Sequence, residues 1–150
     1  MIPLYKPLIS KNEIKNVNVC LKSSWISSKG AYIKKFEKKF SDFTKIKYSI
    51  SVSNGTCAIH LALVALGIKK NDEVIVPSFT YVATVNPILY TGAKPIFVDS
   101  NPENFQFCLS EIKKKITKKT KAIICPHLYG NIPNMHELCK ITKKQKIFLI

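Results

Sequence analysis

Hydrophobic positions along this chain change their period near residue 47. Before it, Tyr32, Ile33, Phe36, Phe40 and Phe43 recur at helical spacing with lysines on the opposite face, which predicts an amphipathic helix over Tyr32–Phe43. An earlier helix is expected from Ser10 to Leu21, because Ser10 with Glu13 three residues on is a capping-box signature. The extended "IPLYKP" precedes it, and "SSWISSKG" separates the two helices. After residue 47 short β-branched runs alternate with longer helical ones: "YSISVS", Thr56 to Leu66, "EVIVP", Thr80 to Tyr90, "KPIFVD", Ser110 to Ile116, "KAIICP", Asn134 to Lys144 and "KIFLI". Five strand candidates alternating with helices predict an α/β fold with a mostly parallel sheet. The last of them, nearly all apolar, reads as a strand covered on both faces.

The sharpest junction is "SVSNGTCAIHLALVALG", Ser51 to Gly67. Tyr48, Ile50 and Val52 alternate as a strand would, Asn54-Gly55 turns, and Thr56 begins a helix apolar enough to be buried on most sides. In open α/β sheets ligands sit at the carboxyl ends of strands, where helix N-termini present unpaired N–H groups and a positive dipole end. The junction is therefore a candidate phosphate cradle. Thr56 can add a hydroxyl, and Gly55 lets the backbone approach a ligand without a Cβ in the way. Glycine and threonine at such a turn can equally serve geometry alone. The chain has neither a Gly-x-x-x-x-Gly-Lys-Ser/Thr loop nor a Gly-x-Gly-x-x-Gly fingerprint, which disfavours nucleotide triphosphates and dinucleotides of the usual kind. Asp99 lies beyond the offset of a ribose-binding acid and reads as a turn or cap residue.

Charge adds little to this picture. The formal net charge is +15, but all 24 basic residues are lysine, and arginine is the side chain suited to bidentate phosphate and base contacts. The lysines fall in pairs on presumed helix faces, so solvated surface is preferred over a nucleic-acid groove. Five cysteines, widely spaced and without a Cys-x-x-Cys pair, read as reduced core thiols rather than metal ligands or disulfides. No apolar run approaches a membrane span and no leader-like start is present, so a cytoplasmic protein without membrane contact is expected.

Taken together, "SNGTCAIHLALVALGIKKNDEVIVPSFTYVATVNPILYTGAKPIFVD" and "TKKTKAIICPHLYGNIPNM" resemble the pyridoxal-phosphate (PLP) dependent nucleotide-sugar aminotransferases of the DegT/StrS type, from Ile2 to Ile150. The resemblance implies the N-terminal part of the three-layer large domain of the fold-type I PLP-dependent transferases, with the remainder of that domain and a small C-terminal domain lying outside residues 1–150. It implies amino transfer from glutamate to a 4-keto-6-deoxy nucleotide sugar for surface polysaccharide synthesis, in a homodimer. Gly55 and Thr56 match the turn that holds the PLP phosphate, Tyr81 the aromatic over the pyridine ring, and Asn86 a position near it. Trp25 and His127 match substrate-side positions. The Schiff-base lysine and the aspartate that bonds the pyridine nitrogen are expected after Ile150, so the 150 residues alone are expected to be inactive. Two departures from the family pattern are Asn71, in a turn where glycine is commoner, and Cys57, where a buried thiol would imitate a small aliphatic residue. A non-catalytic binding module that reuses the fold and a dehydratase-type member remain the alternatives.

Overall fold

The computed structural model describes residues 2, 3 and 6–150; Leu4 and Tyr5 of the expected lead-in lie outside them. The chain forms two compact units, residues 1–51 and 52–150.

The first unit holds helices α1 (Lys11–Lys22) and α2 (Ala31–Thr44). The capping box is present: the Ser10 side chain accepts from the Asn12 N–H, and the Ser10 N–H donates to Glu13 Oε2 at 2.7 Å. The Ser10 hydroxyl also donates to Glu13 Oε2 and is the largest cause, with backbone N–H groups, of a Glu13 carboxyl held below its ordinary pKa. Residues 48–52 do not form the expected strand. Alternation alone supplies no ladder, and their polar groups bond instead to α2 side chains: the Ser51 N–H and hydroxyl both donate to Glu37 Oε1 at 2.9 Å, and Ser49 shares a 2.8 Å hydroxyl contact with Ser41. Tyr48 and Ile50 are left exposed.

The second unit is a four-stranded parallel sheet between helices. Its elements run α3 (Gly55–Ala65), β1 (Glu73–Pro77), a 3-10 turn (Val82–Thr84), α4 (Asn86–Tyr90), β2 (Lys94–Val98), α5 (Leu109–Lys115), β3 (Thr120–Ile123), a second 3-10 turn (Leu128–Gly130), α6 (Met135–Gln145) and β4 (Phe148–Leu149). The strand order is β2-β1-β3-β4, every pair parallel. Because side chains alternate across a strand, the continuous apolar run of β1 feeds both faces. Val74 and Val76 join Leu63, Ile68, Ile88, Ala93, Ala122 and Ile124 on one side. Ile75 joins Val98, Phe107, Ile112, Ile123 and Leu138 on the other. Three layers result, with α3 and α4 below the sheet and α5 and α6 above it.

Three sequence expectations are corrected. The helix foreseen over Thr80–Tyr90 is split at Val85: Pro87 has no N–H to donate to the carbonyl four residues back, and it sits in the first turn of α4, where none is needed. Helix α3 is not buried on most sides: Leu63 alone is fully covered, with Ile59 and Leu66 packed beside it, while Leu61 and Val64 point away from the sheet and are exposed. Cys57, in its first turn, is exposed for the same reason. Of the five thiols only Cys125 is buried, and all five are free. Burial, with Cys139 adding to it, pushes the Cys125 thiol up to about 11, so it stays protonated at neutral pH.

Asn71 takes the left-handed conformation expected of it, φ 76°. Asn71→Val is expected to destabilise the fold by about 1–2 kcal/mol, since a β-branched residue tolerates this geometry poorly, and Asn71→Gly to be neutral or stabilising. Urea unfolding of both variants checks this; equal midpoints would show that the turn is not held in this conformation in solution.

Candidate functional site

Helix α3 turns directly into β1, the Ile68 N–H bonding the Leu63 carbonyl at 3.0 Å across a left-handed Gly67. Eleven helical residues rise roughly 16 Å, about the length of a five-residue strand, so the helix lies back along the sheet and its N-terminus comes to the carboxyl ends of the strands. There it packs against the 3-10 turn that follows β1.

At that terminus Asn54 is the N-cap, its Oδ1 accepting from the Cys57 N–H at 2.9 Å. This leaves the N–H groups of Gly55 and Thr56 without an intrahelical acceptor, at the positive end of the helix dipole. The half-buried Thr56 hydroxyl makes no hydrogen bond among the described residues. A Cβ built on Gly55 would meet no atom within 4 Å, and its backbone is outside the left-handed region. The glycine therefore serves neither a turn nor the packing of these residues. Two N–H groups, a hydroxyl and open space above a glycine form a donor set that fits a phosphate dianion.

The other end of the site is built by the loops after β1 and β3. The Ser78 N–H bonds the Val98 carbonyl at 2.9 Å and its hydroxyl lies 3.3 Å from Asp99 Oδ1, while Asp99 accepts from the Cys108 N–H through its carbonyl. Asp99 is thus the turn residue expected. The hydroxyls of Thr80 and Thr84 meet at 3.0 Å and fix the turn that carries Tyr81, which residues 1–150 leave 73% exposed. Asn86 begins α4 but does not cap it; the N-cap is Val85, and the Asn86 amide makes no hydrogen bond among the described residues. His127 stands exposed at the start of the second 3-10 turn, with its carbonyl accepting from the Gly130 N–H at 3.0 Å. Trp25, in the first unit, is exposed on the loop between α1 and α2. His60, for which the sequence suggests no role, packs edge-on against Tyr90 at 5.6 Å and joins α3 to α4.

The structure brings Gly55, Thr56, Tyr81 and His127 to the carboxyl edge of one sheet. It adds two residues that sequence reasoning passed over: Phe79 and Tyr129 line a cleft of about 150 Å³ together with Thr80, Tyr81 and Leu128. Tyr129 and Gly130 both take positive φ. Among the described residues no group of His, Cys, Asp or Glu could hold a metal ion, and no helix is long and apolar enough to cross a membrane.

Residues 7–150 match the DegT/DnrJ/EryC1/StrS aminotransferase family. The chain belongs to this family. Among its relatives is the GDP-perosamine synthase of Escherichia coli O157:H7, 54% identical over 149 residues, which cover 99% of this chain and 41% of that protein. Among solved structures, a putative sugar aminotransferase from Streptococcus pneumoniae in its PLP form superposes with a TM-score of 0.89 at 34% identity, covering 98% of this chain and 38% of that one. The E. coli GDP-4-keto-6-deoxy-D-mannose-3-dehydratase with bound hydrated PLP superposes at 0.87 and 31% identity, covering 98% and 39%. The chain thus spans about two-fifths of the length of the family members it matches.

Proposed function

We propose that the complete protein moves an amino group from glutamate to the keto carbon of a GDP-linked 4-keto-6-deoxy sugar, with PLP as its coenzyme. The observation that carries this reading is the likeness to GDP-perosamine synthase, which extends over 149 residues at 54% identity. The geometry of the helix end supports it. In this reading the N–H groups of Gly55 and Thr56 and the Thr56 hydroxyl hold the coenzyme phosphate, Tyr81 offers its π-face to the pyridine ring, and Asn86 borders it. Bound there, the coenzyme supplies the electron sink that amino transfer requires. His127 and Trp25 are assigned to the substrate. The carboxylate for the ring nitrogen and the lysine that moves the proton are assigned to the part of the protein following Ile150. A homodimer working in the cytoplasm completes the assignment.

The dehydratase reading stays as the second one, because a dehydratase superposes on this chain as closely as the aminotransferases do. Incubation of the complete protein with PLP, glutamate and GDP-4-keto-6-deoxymannose, with mass analysis of the product, separates the two. A 4-amino sugar supports amino transfer; loss of the C3 oxygen with no nitrogen gained would replace it with dehydration. In the same protein Thr56→Ala is expected to weaken coenzyme binding by about 1–2 kcal/mol through loss of a charge-assisted hydrogen bond. An absorbance titration giving wild-type affinity would take the hydroxyl out of the phosphate site.

A further inference from the structure

Tyr129 is a bulky residue held at φ 53°, in the left-handed region, and 86% of it is exposed. That conformation costs a non-glycine residue roughly 1 kcal/mol or more, and it persists only where the surroundings over-determine it. They do so here. The Gly130 N–H bonds the His127 carbonyl at 3.0 Å and the Asn131 N–H bonds the Leu128 carbonyl at 2.9 Å, closing the turn from both sides of Tyr129. Asn131 is in turn clamped, its Nδ2 donating to the Asn104 carbonyl at 2.6 Å and its Oδ1 accepting from Gln106 Nε2 at 2.9 Å. Gln106 Nε2 also reaches the Ile132 carbonyl at 3.0 Å. A rigid, strained turn therefore holds up an aromatic ring that buries almost nothing of its own.

The space beside that ring is the cleft it shares with Tyr81, Phe79, Thr80 and Leu128. At about 150 Å³ it is well below the ~300–1,000 Å³ of pockets that take a whole drug-sized ligand, and suits a single six-membered ring. We infer that Tyr129 is a positioning residue that walls the slot for the sugar ring of the nucleotide-sugar substrate, a slot whose lining it shares with Tyr81. This inference rests on the proposed function. If Tyr81 faces the coenzyme ring, the group that must come next to that ring is the keto sugar and not the nucleoside, which leaves the slot to the pyranose. Its C–H face stacks on a tyrosine ring, and the exposed Tyr129 phenol hydroxyl is left to meet a sugar hydroxyl.

Strain and function make opposite demands on Tyr129, which gives the test. In the complete protein loaded with PLP, Tyr129→Gly relieves the backbone, so its thermal midpoint should equal or exceed that of wild type. Its KM for GDP-4-keto-6-deoxymannose should rise about tenfold, while the KM for glutamate and the coenzyme affinity stay within about twofold. Tyr129→Phe should recover most of the sugar KM. Tyr129→Gly with an unchanged sugar KM overturns the inference, as does a loss shared equally by sugar and glutamate. Coenzyme binding and amino transfer by the wild type are measured alongside: if both are absent, the functional reading falls and this inference with it, whereas wild-type turnover with an insensitive Tyr129→Gly sinks the inference alone.

Discussion

Gly55→Asp is expected to lower the coenzyme affinity of the complete protein by at least about 100-fold while leaving the coenzyme-free fold as stable as before, or more so. Both halves follow from the first turn of α3. The backbone of Gly55 is outside the left-handed region and a Cβ there meets nothing within 4 Å, so a small side chain starts into open space. A carboxylate at this end of a helix gains about 0.3–1 kcal/mol from the dipole, and removing a glycine from a helix adds to that. The same carboxylate would stand where the phosphate is proposed to lie, and two like unit charges at 4 Å repel by about 4 kcal/mol at an effective dielectric of ~20. Paired melting curves and absorbance titrations read the two effects separately. An affinity within about twofold of wild type would remove the phosphate from this helix end.

The largest loss of stability is expected at Ile75. It is fully buried at the centre of β1, between β2 and β3, and packs with Ile123, Val98, Ile112 and Leu138. Ladder bonds on both sides prevent the strand from closing over a void, so Ile75→Ala should cost about 2–5 kcal/mol, in the upper half of that range. Leu61→Ala, on the exposed side of α3, should cost about 0.5 kcal/mol or less. Urea unfolding of the two variants makes the comparison. Comparable losses would mean that α3 buries its outer face in solution or that the sheet core is looser than described.

Most of this architecture was readable from the chain because its causes are local. Ser10 and Glu13 cap a helix by themselves, the Tyr32–Phe43 stripe needs only its own period, and the apolar run Val74–Val76 of β1 is buried on both faces. What failed depended on residues far away or on a single proline. Tyr48, Ile50 and Val52 have the alternation of a strand, but a strand exists only with a partner, and alternation does not name one. Thr80–Tyr90 has enough apolar spacing for one helix, yet Pro87 breaks it. The apolar content of α3 was taken as burial all round, whereas the sheet covers one stripe of it and composition cannot say how many sides are covered. At the proposed site, motif order singles out Gly55, Thr56 and Tyr81. It does not single out Tyr129, since its placement depends on the clamp that Asn104 and Gln106 put on Asn131, and those residues have no pattern of their own.

The short turn between α3 and β1 has a kinetic consequence. The proposed phosphate grip and the proposed ring contact are the two ends of one helix–turn–strand hairpin, from Thr56 to Tyr81, so bringing them together requires closing only a few loop residues. Contacts this close in sequence carry a small loop-closure cost, and in a chain made from its N-terminus this segment emerges before β2, β3 and β4. The proposed phosphate grip and the proposed ring contact thus share one segment of low sequence separation, which is synthesised ahead of the rest of the sheet.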